Sequence, residues 1–394
     1  MAIAVAFVGS MAFRLSVPAI AYHVRSSLGG SLLQLGSLTV AFFIARASSA
    51  VLAGRRIERG VNVGLLAASC FMAHAGIVVL YGLASSWHEV LLLRVLQGAL
   101  NGVSWTSMQF AVGASARTNV RGRAYSAYFI MGSVGVFMGN VVFACMASAP
   151  LMDVVCVSAL LMLITGLLSI PVGRMAGHEG RRRRASSPGS SRPLSGPRLL
   201  PWVLVVVFAS RALSCLFMGD IIYVYLSEGL GIEPSLASLL VGSGTVVGQA
   251  GGFLMMWVAD KKSDRASLAL ASSMAVVGSL AFPMRHPVLS VAGYLAMALG
   301  VMSFTPLVRR VVMTYSGRRG LAIGLVNAAG NVGTASNSLA LGALLDAMGM
   351  SSIYMAGLEF IGAMLIMSAG PALAIALSAI LLWRTLRALE HRGP

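Results

Sequence analysis

Residues Met152–Arg198 read MDVVCVSALLMLITGLLSIPVGRMAGHEGRRRRASSPGSSRPLSGPR, and this stretch decides the architecture. Its first part, 152–173, is an apolar run long enough to cross a hydrocarbon core of roughly 30 Å as a helix. Its second part carries Arg181, Arg182, Arg183 and Arg184 and then Ser, Pro and Gly in quick succession. Such a composition cannot bury enough apolar surface to fold, so it reads as a linker, a solvated tether facing anionic lipid headgroups. Working outward, apolar runs separated by charged or Gly/Pro-rich breaks recur at 2–22, 32–53, 62–83, 88–110 and 122–146 before this segment. They resume at 200–222, 234–257, 266–283, 287–308, 320–344 and 356–383 after it. The last run is longer than one span needs, and Gly370–Pro371 inside it predicts a kink. The expectation is an all-α integral membrane protein with twelve transmembrane helices in two pseudo-symmetric six-helix bundles. Residues 1–173 form the first bundle, 174–199 a basic cytoplasmic linker, and 200–394 the second bundle with a short tail.

Composition agrees with this reading. The chain of 394 residues is 57% hydrophobic and only 10% charged, whereas a soluble domain carries about 25% charged residues. A net charge of +17 would suggest nucleic acid in a soluble protein. Here the basic residues sit in short bursts between apolar runs, which is a loop bias and not a continuous basic face, so nucleic-acid binding is not expected. Sorted by loop, nearly all the Lys and Arg outside the spans fall on one side, and only Arg25 and Arg285 on the other. Positive loops stay in the cytoplasm, which places both termini there and requires an even number of spans. Cys70, Cys145, Cys156 and Cys215 lie within apolar segments, without metal or redox spacing, and read as small buried hydrophobes. No basic n-region or cleavage motif of a signal peptide precedes the first run, which begins so abruptly that a start upstream of Met1 is compatible with it.

The halves also resemble each other. Gly122, Gly132 and Gly135 of the fifth run recur at one constant offset as Gly320, Gly330 and Gly333 of the eleventh. Glycines spaced this way give a helix a smooth stripe on which another backbone can pack closely. Internal repetition of this kind is the cue for repeat-built transporters.

In the fourth run, Leu91 to Gly102 reads LLLRVLQGALNG, with Arg94, Gln97 and Gly98 in register. It resembles the fourth-helix signature of the major facilitator superfamily. The loop after the eighth run, Trp257 to Arg265, looks like that family's cytoplasmic signature of an Asp with basic residues, with Ser263 where the glycine belongs. The corresponding loop of the first half, GRRIERG at 54–60, is similar but has Glu58 for Asp. Gly132, Gly135 and Gly139 occur in the fifth run, but Asn140 stands where proton-driven drug exporters of the family place a proline. The resemblance implies two bundles rocking about a central site, lined by the first, fourth, seventh and tenth helices. It also implies a cytoplasmic gate made by Glu58, Arg59, Asp260, Lys261 and Arg265. A gate carboxylate can bond basic residues and helix N-termini across the bundle contact in one state and lose those bonds in the other.

An ionisable side chain at the bilayer centre costs about 2.5–3.5 kcal/mol even on the insertion scale, so it normally faces a cavity or a partner. Arg14 and Arg211 fall near mid-depth on the first and seventh runs, and Arg94 lies further toward the outside on the fourth. These three can make a positive site for a carboxylate, phosphate or other anion. In the opposing reading Arg94 bonds helix backbones, and the others pair with amides such as Asn327, Asn331, Gln97 or Asn101, which equally suit a neutral or polyhydroxylated solute. Arg46, nearer the cytoplasmic end of the second run, reads as snorkelling. Asp220 is the candidate coupling group for protons, against the reading that it sits at the outer interface beside Tyr223 and Tyr225. Glu359 reads as outer-end, and His74 as a packing histidine.

A pump is not indicated, because no phosphate-cradling loop ending in Lys-Ser or Lys-Thr is present. Neither zinc-type His-Glu spacing nor a serine elbow supports a membrane enzyme. The expectation is a monomeric secondary active transporter of a small organic solute in the cell membrane, without a cofactor. The 23 methionines favour the adaptable surfaces of a broad-specificity exporter, and the buried arginines favour an anion. A receptor of the same fold that does not transport, or a membrane enzyme, is the alternative of another class.

Overall fold

The computed structural model describes residues 1–30, 32–116, 120–186, 199–218, 233–282, 287–316, 319–347 and 358–390. These form twelve α-helices. In the first half α1 is Ala2–Tyr22, α2 Leu32–Glu58, α3 Val63–Leu80, α4 Trp87–Ser115, α5 Arg121–Cys145 and α6 Leu151–Ser186. In the second, α7 is Leu199–Met218, α8 Pro234–Lys261, α9 Asp264–Ala281, α10 Pro287–Tyr315, α11 Arg319–Ala347 and α12 Leu358–Glu390. A π-helical turn, His23–Ser27, extends α1.

The helix starts are written in the sequence. Asn62 caps α3, its Oδ1 accepting from the backbone N–H of Gly64 at 3.0 Å and Leu65 at 3.2 Å. At α4, Ser86 Oγ accepts from the Glu89 N–H at 3.4 Å while the Glu89 carboxylate reaches back to the Ser85 N–H at 2.8 Å, a near-reciprocal capping arrangement. Ser263, the departure from the signature glycine, caps α9 by accepting from the Ala266 N–H at 3.1 Å. Replacing Asn62 with alanine orphans two donors and is expected to cost about 1 kcal/mol, read as a lower thermal midpoint in detergent; an unchanged midpoint would mean that water caps α3 equally well.

Seven of these segments, among them Ala2–Ser27, Leu151–Gly173 and Ala292–Tyr315, are long and apolar enough by themselves to cross a membrane. Helix α4 falls short of that standard of composition because Arg94, Gln97, Asn101 and Gln109 all lie on it, and all are buried against other helices. The backbone stays helical through Arg184 to Ser186, into the residues read as the linker. Arg, Ala, Met and Glu are good helix formers, and the first strong breaker after them is Pro188.

In the first half α1 packs on α5 and α6, α2 on α4, and α3 on α4 and α6. In the second, α7 packs on α11 and α12, and α10 on α8 and α9. Gly135 of α5 lies directly against the Phe7 carbonyl of α1, and Gly333 of α11 against the Phe208 carbonyl of α7. The glycine repeat is therefore a repeat of one helix–helix contact. The halves meet where α2 packs on α11 and α5 on α8. On the first of these seams a Cβ on Gly54 would stand 2.8 Å from the Gly320 carbonyl oxygen, and one on Gly324 2.6 Å from that of Ala50.

Candidate substrate cavity and gate

Three arginines occupy one level of the helix array. Arg14 on α1 and Arg211 on α7 each lie about 18 Å along the helix from its first residue, at 1.5 Å per residue. Arg46 lies about 18 Å back from the end of α2, which runs to Glu58 and not to residue 53. The direction of the side chain corrects the snorkelling expectation: the Arg46 guanidinium lies 6.0 Å from the Phe42 ring centroid and 5.9 Å from that of Phe43, rings one turn farther back from the basic end. Each of the three is neither sealed nor fully exposed. Arg14 Nε donates to Asn140 Oδ1 at 3.3 Å, and Arg211 Nη2 to Thr305 Oγ1 on α10 at 2.7 Å. Asn140, at the position where exporters carry proline, thus holds an arginine.

Arg309 follows the end of the tenth apolar run in the sequence, yet it lies within α10 and is 6% exposed. It is about 9 Å from the end of that helix, below Arg211. Nε donates to Gln109 Oε1 on α4 at 2.9 Å and Nη2 to Asn327 Oδ1 on α11 at 2.6 Å. Asn327 in turn donates to Thr106 Oγ1 on α4 at 3.1 Å. Arg46, Arg211 and Arg309 lie within Coulombic range of one another, and Tyr128 within range of Arg46 and Arg309. Among the described residues none of these three arginines forms an ion pair with a carboxylate. The buried Tyr128 hydroxyl and the Asn331 amide nitrogen have no hydrogen-bond partner among those residues, which leaves two further donors unsatisfied.

Arg94 and Gln97 lie elsewhere. Arg94 Nη1 donates to Gln97 Oε1 at 3.0 Å, Tyr81 Oη donates to the same oxygen at 3.0 Å, and Gln97 Nε2 lies 2.9 Å from His74 Nε2. All four side chains are buried between α3 and α4 within the first half. Asn101, one turn on, is also buried. Asp220 lies outside the described residues.

At the end of the molecule that carries the basic connections, Glu58 Oε1 accepts from the Gly320 N–H at 2.6 Å and the Leu321 N–H at 3.4 Å. A carboxylate at the end of α2 thereby caps the N-terminus of α11, where the helix dipole favours negative charge. On the other seam Asp260, 16% exposed, bonds Arg310 of α10 and pairs with Arg123 of α5 at 3.2 Å. Arg310 Nε also reaches Asp264 at 2.8 Å. Arg121 completes the closure, donating to the Gly113 carbonyl at 3.1 Å and to the Met313 carbonyl of the other half at 3.3 Å. Of the remaining gate candidates, Arg59 and Lys261 are exposed. Arg265 stacks over Trp383 of α12 at 5.3 Å, inside the second half. Sequence reasoning did not single out Arg123, Arg309, Arg310, Gln109 or Tyr128 for the site. One signal was available: Arg309 and Arg310 are adjacent at the end of an apolar run, so on a helix they point about 100° apart. The first turns into the protein and the second toward Asp260.

A polytopic helical protein whose two halves meet around a level of arginines and close at one end by charge-assisted contacts has the architecture of a membrane transporter. The family model of the Major Facilitator Superfamily matches residues 2–337, and the chain belongs to that superfamily. A comparison with curated protein sequences found no match. Among solved structures the human organic anion transporter MFSD10 (TETRAN) is similar over 96% of this chain and 98% of its own, with 16% identity and a TM-score of 0.70. The proton:xylose symporter XylE bound to 6-bromo-6-deoxy-D-glucose is similar over 97% and 94%, with 14% identity and a TM-score of 0.69. A bacterial homologue of the human lysosomal transporter Spinster, inward-facing and occupied, is similar over 98% and 96%, with 15% identity and a TM-score of 0.63.

Proposed function

We propose that this protein is a secondary active transporter that moves a small organic anion across the cell membrane by alternating access. The observation that carries the reading is the set of Arg46, Arg211 and Arg309, held at and below mid-depth by neutral partners alone among the described residues. Three mutually repelling cations are costly to enclose, and an anion between them would relieve that repulsion while accepting from Tyr128 and Asn331. Arg211 is the primary anion ligand of this set, and Arg14, at the matching depth on the first helix of the other half, is a second ligand from across the cavity. The similarity to an organic anion transporter supports the same class. The basic end is the cytoplasmic one, and Glu58 and Asp260 are its latches. Asp220 is the coupling group for protons.

The test is uptake into proteoliposomes of a panel of anionic, neutral and cationic solutes under an imposed proton gradient. Arg14→Gln and Arg211→Gln are each expected to lower anion uptake by about a hundredfold, the loss of one or two charge-assisted bonds. Asp220→Asn is expected to remove the dependence on the gradient while leaving counterflow. Transport of neutral or cationic compounds that survives both arginine substitutions would sink the anion reading in favour of a broad-specificity exporter. Binding without counterflow would mean a receptor.

A further inference from the structure

Arg309 sits between the proposed anion level and the closed end. Its guanidinium ties three helices from both halves: Gln109 on α4, Asn327 on α11, and its own helix through the Thr305 carbonyl at 2.8 Å. It also lies over the Phe129 ring of α5, 4.8 Å from the centroid. Thr305 is shared, since its hydroxyl accepts from Arg211 while its carbonyl accepts from Arg309. The residue proposed to meet the anion and the residue that closes the floor are thus joined through one helical turn.

Among the described residues, all the hydrogen-bond acceptors of Arg309 are neutral carbonyl oxygens. A carboxylate or phosphate is a stronger acceptor for a guanidinium by roughly a factor of two. A ligand shifts a two-state equilibrium only by its differential affinity for the two states. Arg309 can supply that difference, because in the closed arrangement its donors are committed to Gln109 and Asn327, whereas once released they are free for an anion at Arg211. We infer that Arg309 is a ligand-operated tie: an anion seated at Arg211 draws it off Gln109 and Asn327, and the contact of α4 with α10 and α11 loosens toward the basic end. The inference rests on the anion reading and assigns a coupling residue within it.

The test measures pulsed-resonance distances between spin labels at V61C and K262C, exposed positions in opposite halves, in an otherwise cysteine-free chain. Arg309→Gln without ligand is expected to lower the closed-to-open ratio by about tenfold or more, from the loss of two cross-helix bonds to a charged group. The probe is whichever of benzoate, citrate and inorganic phosphate the uptake panel shows to be carried. It should open the wild type and leave Arg309→Gln unmoved. Should that variant not fold, Gln109→Leu removes one acceptor and is expected to open in the same sense. A wild-type distance distribution in Arg309→Gln, or in Gln109→Leu when it stands in, overturns the inference. So does an anion-driven shift of equal size in variant and wild type, which leaves the anion reading standing. If the panel shows no anion carried, the anion reading fails and the tie is structural only.

Discussion

Gly135→Ala and Gly333→Ala are expected to prevent correct assembly, each reducing monodisperse protein in detergent to a small fraction of wild type. In a membrane helix, alanine would ordinarily be neutral or mildly favourable, since glycine costs about 1 kcal/mol against it in a helix interior. Here the added Cβ would meet a backbone carbonyl, Phe7 for Gly135 and Phe208 for Gly333, and backbone cannot step aside as a flexible side chain can. The helices would have to separate, and overpacking of this kind costs about 1–3 kcal/mol and occasionally more, a large part of a total stability of about 5–15 kcal/mol. Gly76→Ala on α3 is the control, because nothing lies within 4 Å of its new Cβ. Fluorescence size-exclusion chromatography reads the result. Normal profiles for both variants would show that α1/α5 and α7/α11 pack less closely than described.

The second large effect is expected from Asp260→Asn. The carboxylate holds Arg310 and Arg123, and Arg310 is itself shared with Asp264. Removing the charge leaves two guanidiniums near each other with one carboxylate remaining. Breaking a buried pair costs about 3–5 kcal/mol, and partial exposure of Arg123, at 51%, reduces that to about 1–3 kcal/mol here. The closed form of the basic end should lose population by tenfold or more, raising alkylation of Met313→Cys on α10, a buried position that packs beside Gly113 of α4. Asp264→Asn should act in the same direction but less, because Asp264 pairs within the second half. Equal alkylation of Asp260→Asn and wild type would show that the α2/α11 seam and the Arg121 and Arg309 bonds keep this end shut without it.

Much of the architecture follows from local physics. Apolar runs long enough to span a bilayer, arginine-rich breaks at every second connection, and a glycine repeat at one offset give twelve helices in two like halves without any knowledge of contacts. Caps such as Asn62 and Ser263 are local too, since the groups they satisfy lie within three residues. The site was less legible. Arg14 and Arg211 stood out because a charge in the middle of an apolar run is costly wherever it points. Arg309 and Arg310 did not, because two adjacent arginines at a helix end look like any loop pair until the direction of each side chain is known.

The sequence by itself therefore determined class, span count, repeat and the family signatures, all properties of composition and spacing. The tertiary structure alone decided which polar groups meet. Arg94 and Gln97 turn into a sealed cluster with His74 and Tyr81, while Arg46, read as snorkelling, joins the arginine level. Glu58 lands on the first N–H groups of α11, and Arg309 on amides of α4 and α11, with Gln109 200 residues and Asn327 18 residues away along the chain. Hydrophobicity is additive along a chain and can be summed from its letters. A hydrogen bond depends on distance and direction between groups that the chain brings together only once it has folded.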